Sequence, residues 1–272
     1  MKRMKKLKKI IAGLCVLTCL LATSLNVMAG SYSDLVNDSL EALSENNAGC
    51  KGAPQQVANG TYRMVELLAI IGMENDTAGI CSDMISDILD DWDTNNKTCT
   101  GAPQQSVNGL YRSVELLTTI AIELDTDSKY NDAIMDIVDT WETNNALCKG
   151  APQQSANGTY RCVELLAVIA WELDTYGIYS SFIESVIDDM STKNAQCTGA
   201  PQQIANGFYR MVDMLTIIAH EVDVDGSSTS IVGDISESLS TNDANCKGAE
   251  QQSVNGSYRA VELLAVIALE ME

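Results

Sequence analysis

Cysteine recurs every 49 residues in this chain, at Cys50, Cys99, Cys148, Cys197 and Cys246, and the surrounding text recurs with it. The five segments read CKGAPQQVANGTYRMVELL, CTGAPQQSVNGLYRSVELL, CKGAPQQSANGTYRCVELL, CTGAPQQIANGFYRMVDML and CKGAEQQSVNGSYRAVELL. The four junctions between copies show neither insertion nor deletion. A fixed period of this length predicts a repeat architecture, in which each unit is one supersecondary element that buries its apolar face against its neighbours.

Each unit reads as two helices. The first opens at Gly52-Ala53-Pro54, with proline at an early helical position, and runs to about Glu74. Its second half, with Val65, Leu67, Leu68, Ile70 and Ile71, is apolar almost all round and predicts burial on most sides. The other helix is shorter and amphipathic. Met84, Ile85, Ile88, Leu89 and Trp92 fall at helical spacing, with Ser82, Asp83, Asp87, Asp90 and Asp91 between them. Ile134, Ile137, Val138 and Trp141 repeat the pattern. Asn-rich stretches such as Thr94-Asn95-Asn96 close the shorter helix. The repeat begins with a short helix, expected from Tyr32 to about Leu43, and finishes with a long one reaching Glu272. The units are therefore 31–79, 80–128, 129–177, 178–226 and 227–272 of a single repeat domain, 30–272.

The expected fold class is all-α: an α/α repeat of five 49-residue helical hairpins, with buried long helices backed by an outer row of short ones. Open solenoids need terminal units with a polar outer face. Here the last helix, with Val261, Leu263, Leu264, Val266, Ile267 and Leu269, is as apolar as the internal ones. The expectation is a closed toroid in preference to a short open solenoid, with a head-to-tail filament as the competitor.

A polar stripe is copied with the hairpin. Gln56, Asn59, Arg63 and Glu66 recur as Gln105, Asn108, Arg112 and Glu115, then Gln154, Asn157, Arg161 and Glu164. They recur again as Gln203, Asn206, Arg210 and Asp213, and as Gln252, Asn255, Arg259 and Glu262. At 100° per residue the four fall within an arc of about 80° on the long helix. No arginine after residue 29 lies outside this motif, and each follows a tyrosine. Arginine offers a planar fork of donors that a carboxylate accepts three residues on or in the next unit. Two readings stand: a ladder of ion pairs and hydrogen bonds between units, or a ligand-binding groove. Gly60, Gly109, Gly158, Gly207 and Gly256 lie mid-helix, where glycine costs ~1 kcal/mol relative to alanine. Either another backbone approaches closely there, or the Asn-Gly pair breaks the helix.

The repeated thiols are Cys50, Cys99, Cys148, Cys197 and Cys246, joined by Cys81 and Cys162. Neighbouring hairpins pack ~8–10 Å apart, beyond the ~7 Å a disulfide tolerates between Cα atoms. The five are expected as small plugs where the loop enters the long helix. Cys50 and Gln55 at a helix start resemble the Cys–Gln thioester segment of complement-type thioester domains, which are α/α toroids. In that family the two residues are three apart, whereas here they are five apart and copied five times. Metal is not expected: there is one His, no CxxC, and loops such as Glu123–Asp127 and Asp223–Gly226 lack the full spacing of a calcium loop. Those loops read as solvated helix ends. No cofactor is expected.

Residues 2–9 hold six basic residues, an apolar run follows from Ile10 to Leu21, and Val27-Met28-Ala29 carries small residues where a leader peptidase cuts. Residues 1–29 are read as a signal peptide, cleaved near Ala29, in the style of a bacterial export leader. Removing them leaves 11 basic against 37 acidic residues, a net of −26. This acidity argues against nucleic acid and anionic membranes as partners. No later segment is long and apolar enough to anchor the chain. Catalysis needs different groups in different roles, whereas the distinctive residues here are copied five times. The expected function is a secreted or periplasmic/cell-surface non-enzymatic repeat protein for binding or assembly, its partner an extracellular ligand or another copy. The alternative is an extracellular α/α-toroid enzyme acting on a polysaccharide or peptide in a central cavity.

Overall fold

The computed structural model describes residues 32–272; residues 1–29, read above as a signal peptide, lie outside the described residues. Ten helices and no strand occur among them. The short helices are α1 (Tyr32–Gly49), α3 (Ser82–Asn96), α5 (Asn131–Leu147), α7 (Ser180–Gln196) and α9 (Thr229–Asp243). The long ones are α2 (Ala53–Asn75), α4 (Ala102–Leu124), α6 (Ala151–Leu173), α8 (Ala200–Val222) and α10 (Ala249–Met271). Each long helix has 23 residues. Helix α1 runs six residues beyond the expected Leu43, because Ser44 to Ala48 contain no breaker before Gly49.

The long helices start alike. The Gln55 side chain carbonyl accepts from Lys51 N at 2.6 Å, and Gln153, Gln202 and Gln251 repeat this on Lys149, Thr198 and Lys247. An otherwise orphan amide at the helix entrance is thereby satisfied. The helices run unbroken through Asn-Gly, so the turn alternative is set aside. Close approach is the reason for the glycine. A Cβ added at Gly109 would lie 2.8 Å from Thr61 Cβ, and one at Gly207 would lie 2.7 Å from Thr159 Cβ. The crossing of adjacent long helices therefore admits no side chain on one partner.

Long helix packs on long helix in sequence order: α2 on α4, α4 on α6, α6 on α8, α8 on α10. Helix α10 packs also on α2 and α1. At that contact a Cβ on Gly60 would stand 3.0 Å from Ser257 Cβ, the same approach as at the internal crossings. Each short helix packs on the long helix that follows it. The core is formed by the long helices, with Leu67, Leu116, Leu165, Met214 and Leu263 all fully buried at equivalent positions. Residues Tyr32–Glu272 cluster as one compact unit. No helix among the described residues is long and apolar enough to cross a membrane.

Candidate functional site

The polar stripe lies between each long helix and the short helix of its own hairpin. Asn59 Nδ2 donates to Leu43 O at 2.9 Å, and Asn108, Asn157, Asn206 and Asn255 donate to Trp92, Trp141, Met190 and Leu239 O. Gln56 Nε2 donates to Asn47 Oδ1, and Gln105, Gln154, Gln203 and Gln252 repeat this on Asn96, Asn145, Asn194 and Asp243. Arg63, Arg112, Arg161, Arg210 and Arg259 pair with Glu66, Glu115, Glu164, Asp213 and Glu262 at 2.7–3.1 Å, three residues along the same helix. Arg112 and Arg210 reach Asp91 and Asp189 on the short helix as well. The arginine side chains are only 11–18% exposed. Burial pushes Glu66, Glu164, Asp213 and Glu262 above the usual carboxylate range, and the arginines beside them work against it. The stripe thus ties hairpin to hairpin less than it ties inner to outer helix within a hairpin, because a narrow polar arc can face only one neighbour.

Links between units come from the tyrosine that precedes each arginine, whose role sequence reasoning missed. Tyr160 Oη donates to Asn194 Oδ1 at 2.8 Å, Tyr209 to Asp243, Tyr111 to Asn145, and Tyr258 to Asn47 at 2.8 Å. The acceptor in each case is on the short helix of the following unit, and for Tyr258 that helix is α1. Tyr62 and Tyr111 set their rings edge-on against Trp92 and Trp141 at 5.2 and 5.1 Å. The signal was present in the sequence as an invariant Tyr-Arg pair among the five copies.

The repeated cysteines lie half-buried at the end of each short helix, and all seven thiols are free. Cys50 Sγ donates to Asn46 O, as Cys99, Cys148, Cys197 and Cys246 do to the carbonyl four residues back. Burial raises the Cys50, Cys99, Cys148, Cys197 and Cys246 thiols above their ordinary value, so these are not activated thiolates. The thioester resemblance finds no support here, since Gln55 accepts from Lys51 N and Cys50 donates to a backbone carbonyl.

The acidic loops at the other end are not simply solvated. Asp76, Asp125, Asp174 and Asp223 are buried. Asp174 accepts from Ile178 N, Tyr179 N and Ser180 Oγ, capping α7. The Thr229 hydroxyl, followed by backbone amides, holds Asp223 below the usual carboxylate range. Asp76, Cys81 and Glu123 converge, as do Asp125, Asp127 and Glu172, and Asp223, Asp225 and Glu270, with ligand-type atoms within 4.8 Å. The third member in each group comes from the next long helix, which no local motif could disclose. Cys81 Sγ donates to Glu123 at 2.7 Å, and Ser228 Oγ donates to Glu270.

At this same end the five long helices enclose a cavity of about 30 Å³. All five contribute: Leu68 and Ile71, Leu117 and Ile120, Leu166 and Ile169, Leu215 and Ile218, Leu264 and Ile267. Its rim is formed by the last residues of the helices, among them Asn75, Leu124, Leu173 and Met271. The stripe residues point away from it, as their short-helix partners require. The loops that leave these helix ends expose Val224 (93%), Tyr176 (87%), Ile178 (70%) and Ile80 (54%). No family model, curated protein or solved structure matches the chain.

Proposed function

We propose that residues 30–272 are exported after cleavage near Ala29 and form a closed ring of five hairpins that binds a partner at its loop end. The partner chemistry is an apolar segment bearing basic residues. One observation carries the reading: a leucine and an isoleucine from each of the five long helices line the cavity, and loops that leave the same ends of those helices expose Tyr176, Ile178 and Val224. Exposed apolar groups that cluster around a concavity mark interaction surfaces. The loops between them carry Asp127 and Asp225 on the surface, which favours a cationic partner. The enzyme alternative gains no support from this cavity, whose lining repeats one Leu–Ile pair from each long helix and holds neither an acid, a base nor a nucleophile.

Binding is tested by titrating the mature protein with a cationic amphipathic peptide and with its acidic counterpart of equal hydropathy. The cationic peptide binds, more weakly as salt rises, and the combined Tyr176→Ser, Ile178→Ser, Val224→Ser variant loses it. Equal binding of both peptides, or an unaffected variant, sinks the reading. Closure is tested by Gly60→Ala. In a closed ring the new Cβ meets Ser257 and destabilises the protein, as Gly109→Ala does against Thr61. In an open array Gly60 lies on a free helix face, where alanine stabilises by ~1 kcal/mol. The sign of the change in urea midpoint decides.

A further inference from the structure

Glutamates near the ends of the long helices close two of the loops that lead into short helices. Glu123 accepts from Cys81 Sγ at 2.7 Å, and Glu270 accepts from the Ser228 hydroxyl. Glu74, 49 residues before Glu123, holds the same position on α2. The residue 49 before Cys81 is Tyr32, the first of α1, whose hydroxyl stands at the far end of a ring and not beside its Cβ as a serine or cysteine donor does. Both Glu74 carboxylate oxygens are buried without a hydrogen-bond partner, and none of the four equivalent glutamates is in that state among the described residues. A buried carboxylate with no donor is costly.

The surrounding elements supply no counter-charge. Helix α2 packs on α1, α3, α4 and α10. At the end where Glu74 lies, α10 carries Glu270 and Glu272, and α4 carries Glu123. The start of α1 adds Tyr32 and Asp34, and the loop and start of α3 add Asp76, Cys81 and Asp83. None of these ends carries a lysine, arginine or histidine. Glu272 stands 49 residues after Asp223 and accepts from Ser33 N at 3.2 Å, as Asp223 accepts from Ser228 N at 3.2 Å. The carboxylate that ties α10 to α1 is therefore the one that acts on Glu74. Burial first, and then the Glu272 charge, push the Glu74 carboxyl up to about 7.

We infer that the contact of α10 with α2 and α1 is a proton-operated latch, shut while Glu74 carries a proton and loosened when that proton leaves. The inference rests on the closed-ring reading above. A neutral Glu74 fits a site without counter-charge, and its own O–H is a donor among groups that only accept. An ionised Glu74 is a buried charge beside a second carboxylate, and the cheapest relief is to part α10 from α2 so that water reaches both. The direction in pH follows. A carboxyl raised in the folded state stabilises fully below its unfolded value of about 4.3, and that contribution is lost as pH rises through the folded value. The ring is thus tightest in mildly acidic surroundings, and it frees α1 and the end of α10 in alkaline ones.

The test is amide hydrogen exchange on either side of the expected midpoint, corrected for intrinsic rates, in the protein and in Glu74→Gln. On going from about pH 5.5 to about pH 8, amides of α1 and of the last turn of α10 lose protection about tenfold, the effect of one pKa unit realised by a carboxyl that keeps some exposure. Those of α6, away from the contact, hold theirs. Glu74→Gln is neutral at every pH and keeps the acid-side protection throughout. Glu272→Gln lowers the midpoint of the Glu74 carboxyl resonance, because the like charge is gone. The proposal is overturned if α1 and α6 change alike, if Glu74→Gln retains the pH dependence, or if the Glu74 resonance titrates near the ordinary ~4.3. Gly60→Ala, measured alongside, separates the two failures. If it stabilises, the closed ring itself falls; if it destabilises while the pH dependence survives in Glu74→Gln, the ring stands and the latch alone is wrong.

Discussion

A single asparagine does most for the polar layer. Asn157 is buried, and its amide satisfies Trp141 O near the end of α5 at 3.1 Å. Trp141 lies six residues before Leu147, inside the stretch where carbonyls have a helical partner, so the Asn157 amide is a second donor that ties α6 to α5. Asn157→Ala removes this buried link between the two helices without stranding the carbonyl. The expected loss is ~0.5–1.5 kcal/mol, read as a lower urea midpoint with unchanged slope. An unchanged midpoint would mean that water replaces the amide and that the layer is wetter than its burial implies. The arginines work differently. Their pairing is with a carboxylate three residues away, so Arg161 neutralises Glu164 locally and commits neither to a neighbouring unit.

Helix pairs depend on how the short helices begin. None of the outer helices α3, α5, α7 or α9 has a side-chain cap from its own preceding residue. The cap comes instead from the aspartate that ends the long helix, five or six positions earlier. Asp174→Ala therefore frees the amides of Ile178 and Tyr179 and the Ser180 hydroxyl together. A lost cap costs ~0.5–2 kcal/mol. Amide hydrogen exchange should show the first turn of α7 opening while α6 keeps its protection. Equal loss along both helices would instead make the aspartate part of the global core.

For the whole molecule, the closed ring proposed above would make the five junctions nearly equivalent. A circular permutant that joins residue 272 to residue 30 through a short linker, and opens the loop at 126–127, should fold and retain a cooperative transition. That follows because no junction is then uniquely a terminus, and each hairpin keeps both neighbours. An array whose stability decays from a free end would lose cooperativity in the permutant, since the broken loop would separate two central units. Thermal unfolding of the permutant and the parent, side by side, measures the difference.

The period of 49, the two helices per unit, their bounds within a few residues and the polar stripe are all legible in the sequence, because each is a local pattern of spacing. The glycine at Gly109 was legible as a close approach, though not its partner Thr61, which lies 48 residues earlier. Three things only the tertiary structure decided. The stripe faces the short helix of its own hairpin, a matter of how the long helix is rotated, and rotation is set by which apolar arc wins the core. The tyrosines, and not the arginines, bridge units, because the side chain reaches the next short helix, through Oη at Tyr111, Tyr160, Tyr209 and Tyr258 and through the ring at Tyr62. Glu74 has no hydrogen-bond partner although α10 packs on α2 and α1, since a sequence repeat has no geometry until its ends are placed in space.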